Sequence, residues 1–225
     1  MDENSMTASV NQDNAVLDRI IGERRSHRRF TGAIPSDEMI EGIIHAGLHA
    51  PFAAAAIGSS TDYFRRFFVI RKDSKAMQAL IPLVFGEAVA MASALERQTE
   101  RDAALREQAA GFIERLAVIR SMGRVPGVGT APVYIVVAEK KGFPPVEQQS
   151  LFACMENMWL KATALGLGFQ VVSITAQMAD NEQFCRILGI EPGLSALMGC
   201  AVGYPAEHLS PSIRPSAGEV TTWMA

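Results

Sequence analysis

Cysteine is scarce: three in 225 residues, none in a C-x-x-C pair, so there is neither a disulfide framework nor a cysteine metal cage. Cys154, Cys185 and Cys200 lie far apart, and so sparse a count fits a reducing, cytoplasmic setting. The four histidines contain one i, i+4 pair, His45 and His49, without the glutamate of an H-E-x-x-H helix. A helix face explains that pair better than a metal, and no metal site is expected. No G-x-S-x-G elbow is present, which removes a common hydrolase signature. The glycines of GRVPGVG, Gly123 to Gly129, neither follow a strand nor open a helix, so a dinucleotide loop is a poor reading. An excess of one charge is missing as well. Twenty-one basic against 24 acidic residues leave a net charge of −3 and a pI of about 5.8, which argues against a dedicated nucleic-acid binder. No apolar run approaches the ~18 residues of a membrane span. The acidic, polar start MDENSMTASV has neither the basic nor the apolar region of a signal peptide. The expectation is a soluble, intracellular protein that binds neither nucleic acid nor membrane.

What is present reads as one domain. Residues 1–13 are expected as a polar, disordered tail, and the domain covers 14–225 without an internal repeat. Asn14 is placed to cap a helix whose Val16, Leu17, Ile20 and Ile21 share one stripe. Ile34-Pro35-Ser36-Asp37-Glu38 predicts a helix start, a serine cap followed by two acids where the helix dipole favours them. Pro51 stops that helix. FFVIRK, Phe67 to Lys72, reads as a strand. From about 82 to 122 the pattern is helical and alanine-rich, with Leu105, Phe112, Leu116 and Ile119 on one side: one or two helices standing partly off the core. PVYIVVAEK, Pro132 to Lys140, is a buried strand. Gln148 to Leu165 is helical and apolar almost all round, as a helix is in a core or at a subunit interface. Gly166 is its natural end. FQVVSI is extended, Asp180 to Leu188 is helical, SALMGCAVGYP is the last strand, and the tail from Arg214 is extended. Mixed helices and few strands give an α+β class, a small sheet wrapped by helices.

One segment stands out chemically. RRSHRRF, Arg24 to Phe30, packs four arginines into six residues of a nearly neutral chain. Guanidinium is planar, permanently charged and suited to phosphate. An extended backbone sends Arg24, Ser26 and Arg28 to one side and Arg25 and Arg29 to the other. Two guanidiniums and a hydroxyl on one side suit one phosphate and a polar chain. A solvated or ion-paired arginine run is the bland alternative.

In order, RRSHRRF, PSDEMIEGIIHAGLHAP, FFVI, APVYIVVAEK, the helix ending in ATALGLG, RILGI and GCAVGYPAE resemble the nitroreductase family of flavoproteins over about residues 20–214. The resemblance implies a nitroreductase-like α+β fold with a mostly antiparallel sheet. It also implies an intertwined homodimer with FMN at the interface and the Gln148–Leu165 helix at its centre. It assigns Arg24 and Ser26 to the FMN phosphate with Arg25 beside them, and Arg28 to the ribityl chain and the N1–O2 edge. Arg214 returns to the phosphate, and Pro51 opens a segment that meets the flavin. Val172, Ser173 and Ile174 lie against one flavin face and offer a backbone N–H to N5. It further implies hydride transfer from NADH or NADPH to the flavin, then to a nitroaromatic, quinone or similar acceptor. No catalytic side chain is required, because the flavin carries the chemistry.

The sequence departs from the family after Pro51. Where members often read S-G-G-N-x-Q-P-W, this chain reads APFAAAAIGSSTDYFRRF, so the polar Asn and Gln are replaced by Phe52 and four alanines. The expected wall is smoother and more apolar, with Ser59 to Asp62 as a substitute set of polar contacts. The insertion at about 82–122 sits where members carry variable lid helices that select the acceptor. A dehalogenase, a flavin-fragmenting enzyme, a non-catalytic flavin binder and a plain helical scaffold are the alternatives.

Overall fold

The computed structural model describes residues 3–52, 63–210 and 212–224. Four strands, β1 (Arg65–Arg71), β2 (Val133–Lys140), β3 (Gly168–Val172) and β4 (Ser195–Gly203), make one antiparallel sheet in the order β1-β2-β4-β3. β2 is apolar almost throughout because both its faces are covered. Its alternate side chains go opposite ways. Val133, Ile135 and Val137 meet α2 (Asp37–Leu48) and α5 (Glu147–Ala164) through Ile40, Ile43, Leu151, Met155 and Met158. Tyr134, Val136 and Ala138 meet α3 (Lys75–Arg101), a 3-10 segment (Ser173–Asp180) and α6 (Glu182–Leu188) through Met77, Leu80, Val84, Met178 and Phe184. Each such side chain contributes about 1.5–3 kcal/mol by leaving water.

Local chemistry explains most boundaries. The Ser36 hydroxyl accepts the Met39 N–H and starts α2, with Asp37 and Glu38 in the first turn. Asn181 caps α6 by accepting from Phe184 N, and Gly189 ends it in the left-handed region at φ 66°. Gly166 follows α5 at φ 70°. The insertion is two helices, α3 and α4 (Ala103–Met122), with Asp102 capping α4 through the Leu105 N–H. Of α4, only Leu116 is buried, so the pair does stand partly off the core.

Several expectations are corrected. α1 (Glu3–Glu23) begins at Glu3, ahead of Asn14, whose side chain instead donates to Asp18 one turn on. α3 starts at Lys75 under a Ser74 cap, with Pro82 inside the helix rather than at its start. Met77 and Leu80 before the proline and Val84 after it hold the helix on the sheet. α3 is also long and apolar enough, by length and composition, to cross a membrane. The apolar run 79–86 and the alanine-rich turns after Glu87 raise its hydropathy, and its stripe from Met77 to Ala88 packs in the cluster against the sheet. FQVVSI divides, the strand ending at Val172 and the 3-10 turn beginning at Ser173. The tail contains one short helix, α7 (Ala217–Val220), that buries nothing.

Among the described residues one ion pair lies wholly inside. Arg65 donates from Nε to Glu139 at 2.9 Å, both side chains being fully inaccessible. Its other nitrogens donate to the carbonyls of Gly47 at 2.9 Å, Ala50 at 3.3 Å and Pro51 at 3.4 Å. β1 is thereby clamped to the open end of α2. Burial lifts the Glu139 carboxyl above its usual range, against the pull of Arg65 and Ser150.

Candidate active site

The arginine block is an extended strip beside the sheet. Ser26 pairs in parallel with Phe169 of β3, the His27 N–H donating to the Phe169 carbonyl at 3.0 Å, and Phe30 pairs with Pro205 beyond β4. Thr31 N–H donates to Tyr204 at 2.9 Å, and Ala206 N–H to Arg29 at 3.0 Å. Little space separates the two: a Cβ on Gly168 would stand 2.9 Å from the His27 Cβ. The alternation expected of an extended strip holds for Arg28, which lines one cavity, and for Arg25 and His27, which line another of about 560 Å³ with Glu207 and His208.

The Arg28 cavity has a volume of about 600 Å³ and brings together four of the predicted residues: Arg28, Val172, Ser173 and Ile174. The sheet supplies its floor at β3, and the 3-10 turn fixes the Ser173 backbone. That turn is tied down by Thr175, whose hydroxyl donates to the Val172 carbonyl and lies 2.6 Å from the Tyr134 hydroxyl. Burial pushes the Tyr134 phenol far above its usual range, so it stays protonated. α3 and α4 form the apolar roof with Met91, Phe112, Leu116 and Ile119. Val125 and Pro126, from the glycine-containing loop dismissed as a dinucleotide site, close one side. Gly127 is required there: its φ is 94°, and a Cβ would press on Ala201 and Val172 at 3.0 Å.

Sequence reasoning missed Gln170. It lines the cavity, and its Nε2 donates to the Pro126 carbonyl at 3.2 Å. Its Oε1 is buried without a hydrogen-bond partner among the described residues. An unsatisfied buried acceptor is costly and calls for an explanation, and a ligand N–H would supply one. The available signal was one amide interrupting the apolar run FQVV.

The remaining predicted residues stand differently. Arg24 lies over the Trp159 ring at 4.3 Å, and its Nε meets Glu156 at 3.1 Å. Its two terminal nitrogens have no partner among the described residues. Arg25 donates to the carbonyls of Ser210, Gly22 and Arg24. Arg29 pairs with Glu207 at 3.4 Å on the surface, a contact worth about 0–1 kcal/mol. The bland ion-pair reading thus fits Arg29 and part of Arg24, and it does not fit Arg28, which has no ion pair among the described residues. Ser26 sits in the strip between them. Pro51 and Arg214 do not line the Arg28 cavity: Pro51 offers its carbonyl to Arg65, and Arg214 is exposed in the tail. Phe52 stacks on Phe64 with ring centres 4.0 Å apart. The alanine run Ala53–Ala56 and the polar set Ser59–Asp62 lie outside the described residues. A hollow of about 820 Å³ at the Arg66 end of the sheet, lined by Tyr63, Phe64 and Lys141, holds none of the predicted residues.

His27 makes the strip sensitive to pH. Burial lowers its pKa below 6.5, Glu207 opposing and His208 and Arg25 assisting, and its Nδ1 has no partner among the described residues. A histidine whose folded pKa is depressed binds its proton less readily folded than unfolded. Stability therefore rises with pH between the folded value and 6.5, and is lost as pH falls through that window. Melting temperatures measured between about pH 5 and 7.5 should show this rise, and His27→Gln should reduce it. An equal slope in the variant would assign the pH dependence to another group.

The geometry has counterparts among known proteins. A family model described as the nitroreductase family matches residues 21–204. A nitroreductase with bound FMN from Desulfitobacterium hafniense DCB-2 is 21% identical with TM-score 0.63, covering 93% of this chain and 98% of that one. A nitroreductase with bound FMN from Bacteroides fragilis NCTC 9343 is 20% identical with TM-score 0.61, covering 92% and 98%. An iodotyrosine deiodinase bound to FMN and 3-iodo-L-tyrosine is 17% identical with TM-score 0.65, covering 93% and 99%. No curated protein matches in a sequence comparison. With the antiparallel sheet, its two helical layers and the arginine strip falling inside the matched span, the chain belongs to the nitroreductase family.

Proposed function

We propose that this chain is an FMN-dependent oxidoreductase that uses NADH or NADPH to reduce a nitroaromatic, quinone or similar small acceptor. The observation that carries the reading is the meeting, in one apolar-roofed cavity, of an unpaired arginine and an orphaned buried amide oxygen beside the Val172–Ile174 backbone. Such a donor and acceptor set fits the polar edge of a flavin. When bound, FMN supplies the electron transfer between nicotinamide and acceptor. Arg28 lends fixed positive charge to the electron-rich edge, and Gln170 Oε1 accepts an N–H. Ser173 presents backbone, and Met91, Phe112 and Leu116 keep water away. Arg24, held from behind by Glu156 and Trp159, turns its free terminal nitrogens to the phosphate, together with Arg25 and Ser26.

Pro51 and Arg214 act in a homodimer. Apolar surface supports this: Phe152 on the outer face of α5 is 58% exposed, and Ile213 and Trp223 in the tail are more than 90% exposed. A partner subunit would cover such large exposed apolar side chains. The cytoplasm is the compartment that suits the three buried, unpaired thiols.

The test is the absorption spectrum of purified protein, followed by anaerobic addition of NADH and then NADPH, with sedimentation for mass. A yellow dimer that bleaches with one nicotinamide supports the proposal. A colourless protein that ignores added FMN refutes it, and a yellow one that neither nicotinamide bleaches is a binder rather than an enzyme.

A further inference from the structure

Two arginines face the 600 Å³ cavity, and no acidic residue lines it among the described residues. Arg28 enters from the strip and is accounted for by the cofactor reading. Arg115 enters from the roof, on α4, with Phe112 and Leu116 beside it and Val118 and Ile119 one turn on. Neighbours at three and four positions share a helix face; Arg115, Phe112 and Val118 are exposed and Leu116 is buried, so this cation stands at the open rim of an apolar wall. Glu114, the adjacent acid, points about a quarter-turn away and does not line the cavity. Arg115 also has no ion pair among the described residues, whereas Arg120, further along α4 and round its axis, is bound to Glu96 and Ser93. A cation beside apolar walls, with no counter-ion, is suited to a flat apolar molecule that brings its own negative charge.

We propose that Arg115 selects the acceptor, and that the acceptor class is an aromatic body carrying a carboxylate. The inference rests on the flavoenzyme reading above and adds the substrate class to it. The apolar roof takes the ring. The Arg115 guanidinium takes the acid by charge-assisted hydrogen bonds, and the reducible group is left toward the Val172–Ile174 side of the cavity. Arg115 is a specificity residue, with no part in electron transfer.

The experiment compares 4-nitrobenzoate with its neutral methyl ester on FMN-loaded enzyme, wild type against Arg115→Ala and Arg115→Lys. Wild type should prefer the acid, and Arg115→Ala should lose about tenfold of that preference through KM, the low end for a charge-assisted contact at a half-open site. Arg115→Lys should keep most of it, and FMN content should not change. Titration of the flavin fluorescence with benzoate gives the same comparison without turnover. An acid-to-ester ratio unchanged by Arg115→Ala overturns the inference, as does a rise in KM for NADH or NADPH alone, which would give Arg115 to the nicotinamide nucleotide. Failure of the flavoenzyme reading is distinct: wild type and variants alike would take up no FMN, and this inference would fall with it.

Discussion

Arg28→Ala should weaken FMN binding by roughly 10- to 150-fold, the equivalent of about 1.5–3 kcal/mol for a hydrogen bond to a charged group. Arg28 has no other partner among the described residues and lines the cavity with Gln170 and Ser173, so its loss falls on the ligand alone. Arg24→Ala should act by a similar amount on the phosphate, with the added consequence of releasing Glu156 beside the vacated position. Together the two substitutions should leave the protein colourless as purified, with an unchanged far-UV spectrum. Arg29→Ala is the control, since its exposed pair with Glu207 faces away from the cavity. Flavin content measured on heat-released cofactor decides the matter: wild-type content in the Arg24/Arg28 double variant would remove the arginine strip from the site.

Arg65→Ala should have the largest effect on stability. Removing one member of a fully buried pair leaves the other charge without compensation, which costs about 3–5 kcal/mol. Here three backbone carbonyls at the end of α2 lose their donor as well. For a chain of this size the melting temperature should fall by roughly 6–20 °C. The pair Arg65→Met with Glu139→Leu should recover much of that loss, because two apolar groups need no counter-charge. The decisive reading is thermal denaturation of all three proteins. A double variant no more stable than Arg65→Ala would mean that the clamp on Gly47, Ala50 and Pro51 matters more than the charge pair.

Short-range signals carried most of the fold. A β-branched run marked β2, an apolar stretch marked β4, and Ser36 marked α2, because each of these depends on neighbours a few residues away. Pro82 misled for the same reason: proline favours a helix start, and only the burial of Met77 and Leu80 against the sheet explains a helix that begins at Lys75. The 3-10 turn escaped notice because Thr175 is held by Tyr134, 41 residues earlier. At the site, alternation along an extended strip correctly separated Arg28 from Arg25. The roles proposed for Gln170 and Arg115 could not be read, since a strand amide and a helix arginine come to one cavity only once the loop at Pro126 and the roof helices meet β3. The Arg65–Glu139 pair spans 74 residues and was invisible for that reason.

The strip that carries Arg24 and Arg28 is stitched to β3 and to the exit of β4 by main-chain hydrogen bonds at His27, Thr31 and Ala206. Those bonds are indifferent to side-chain identity, whereas the opposite wall is made of α3 and α4 side chains with little buried beneath α4. Floor and roof are therefore free to diverge at different speeds. On the function proposed above, exchanging roof residues would retarget the enzyme to new molecules without loosening its grip on the redox group, so a lineage could change diet while keeping its engine.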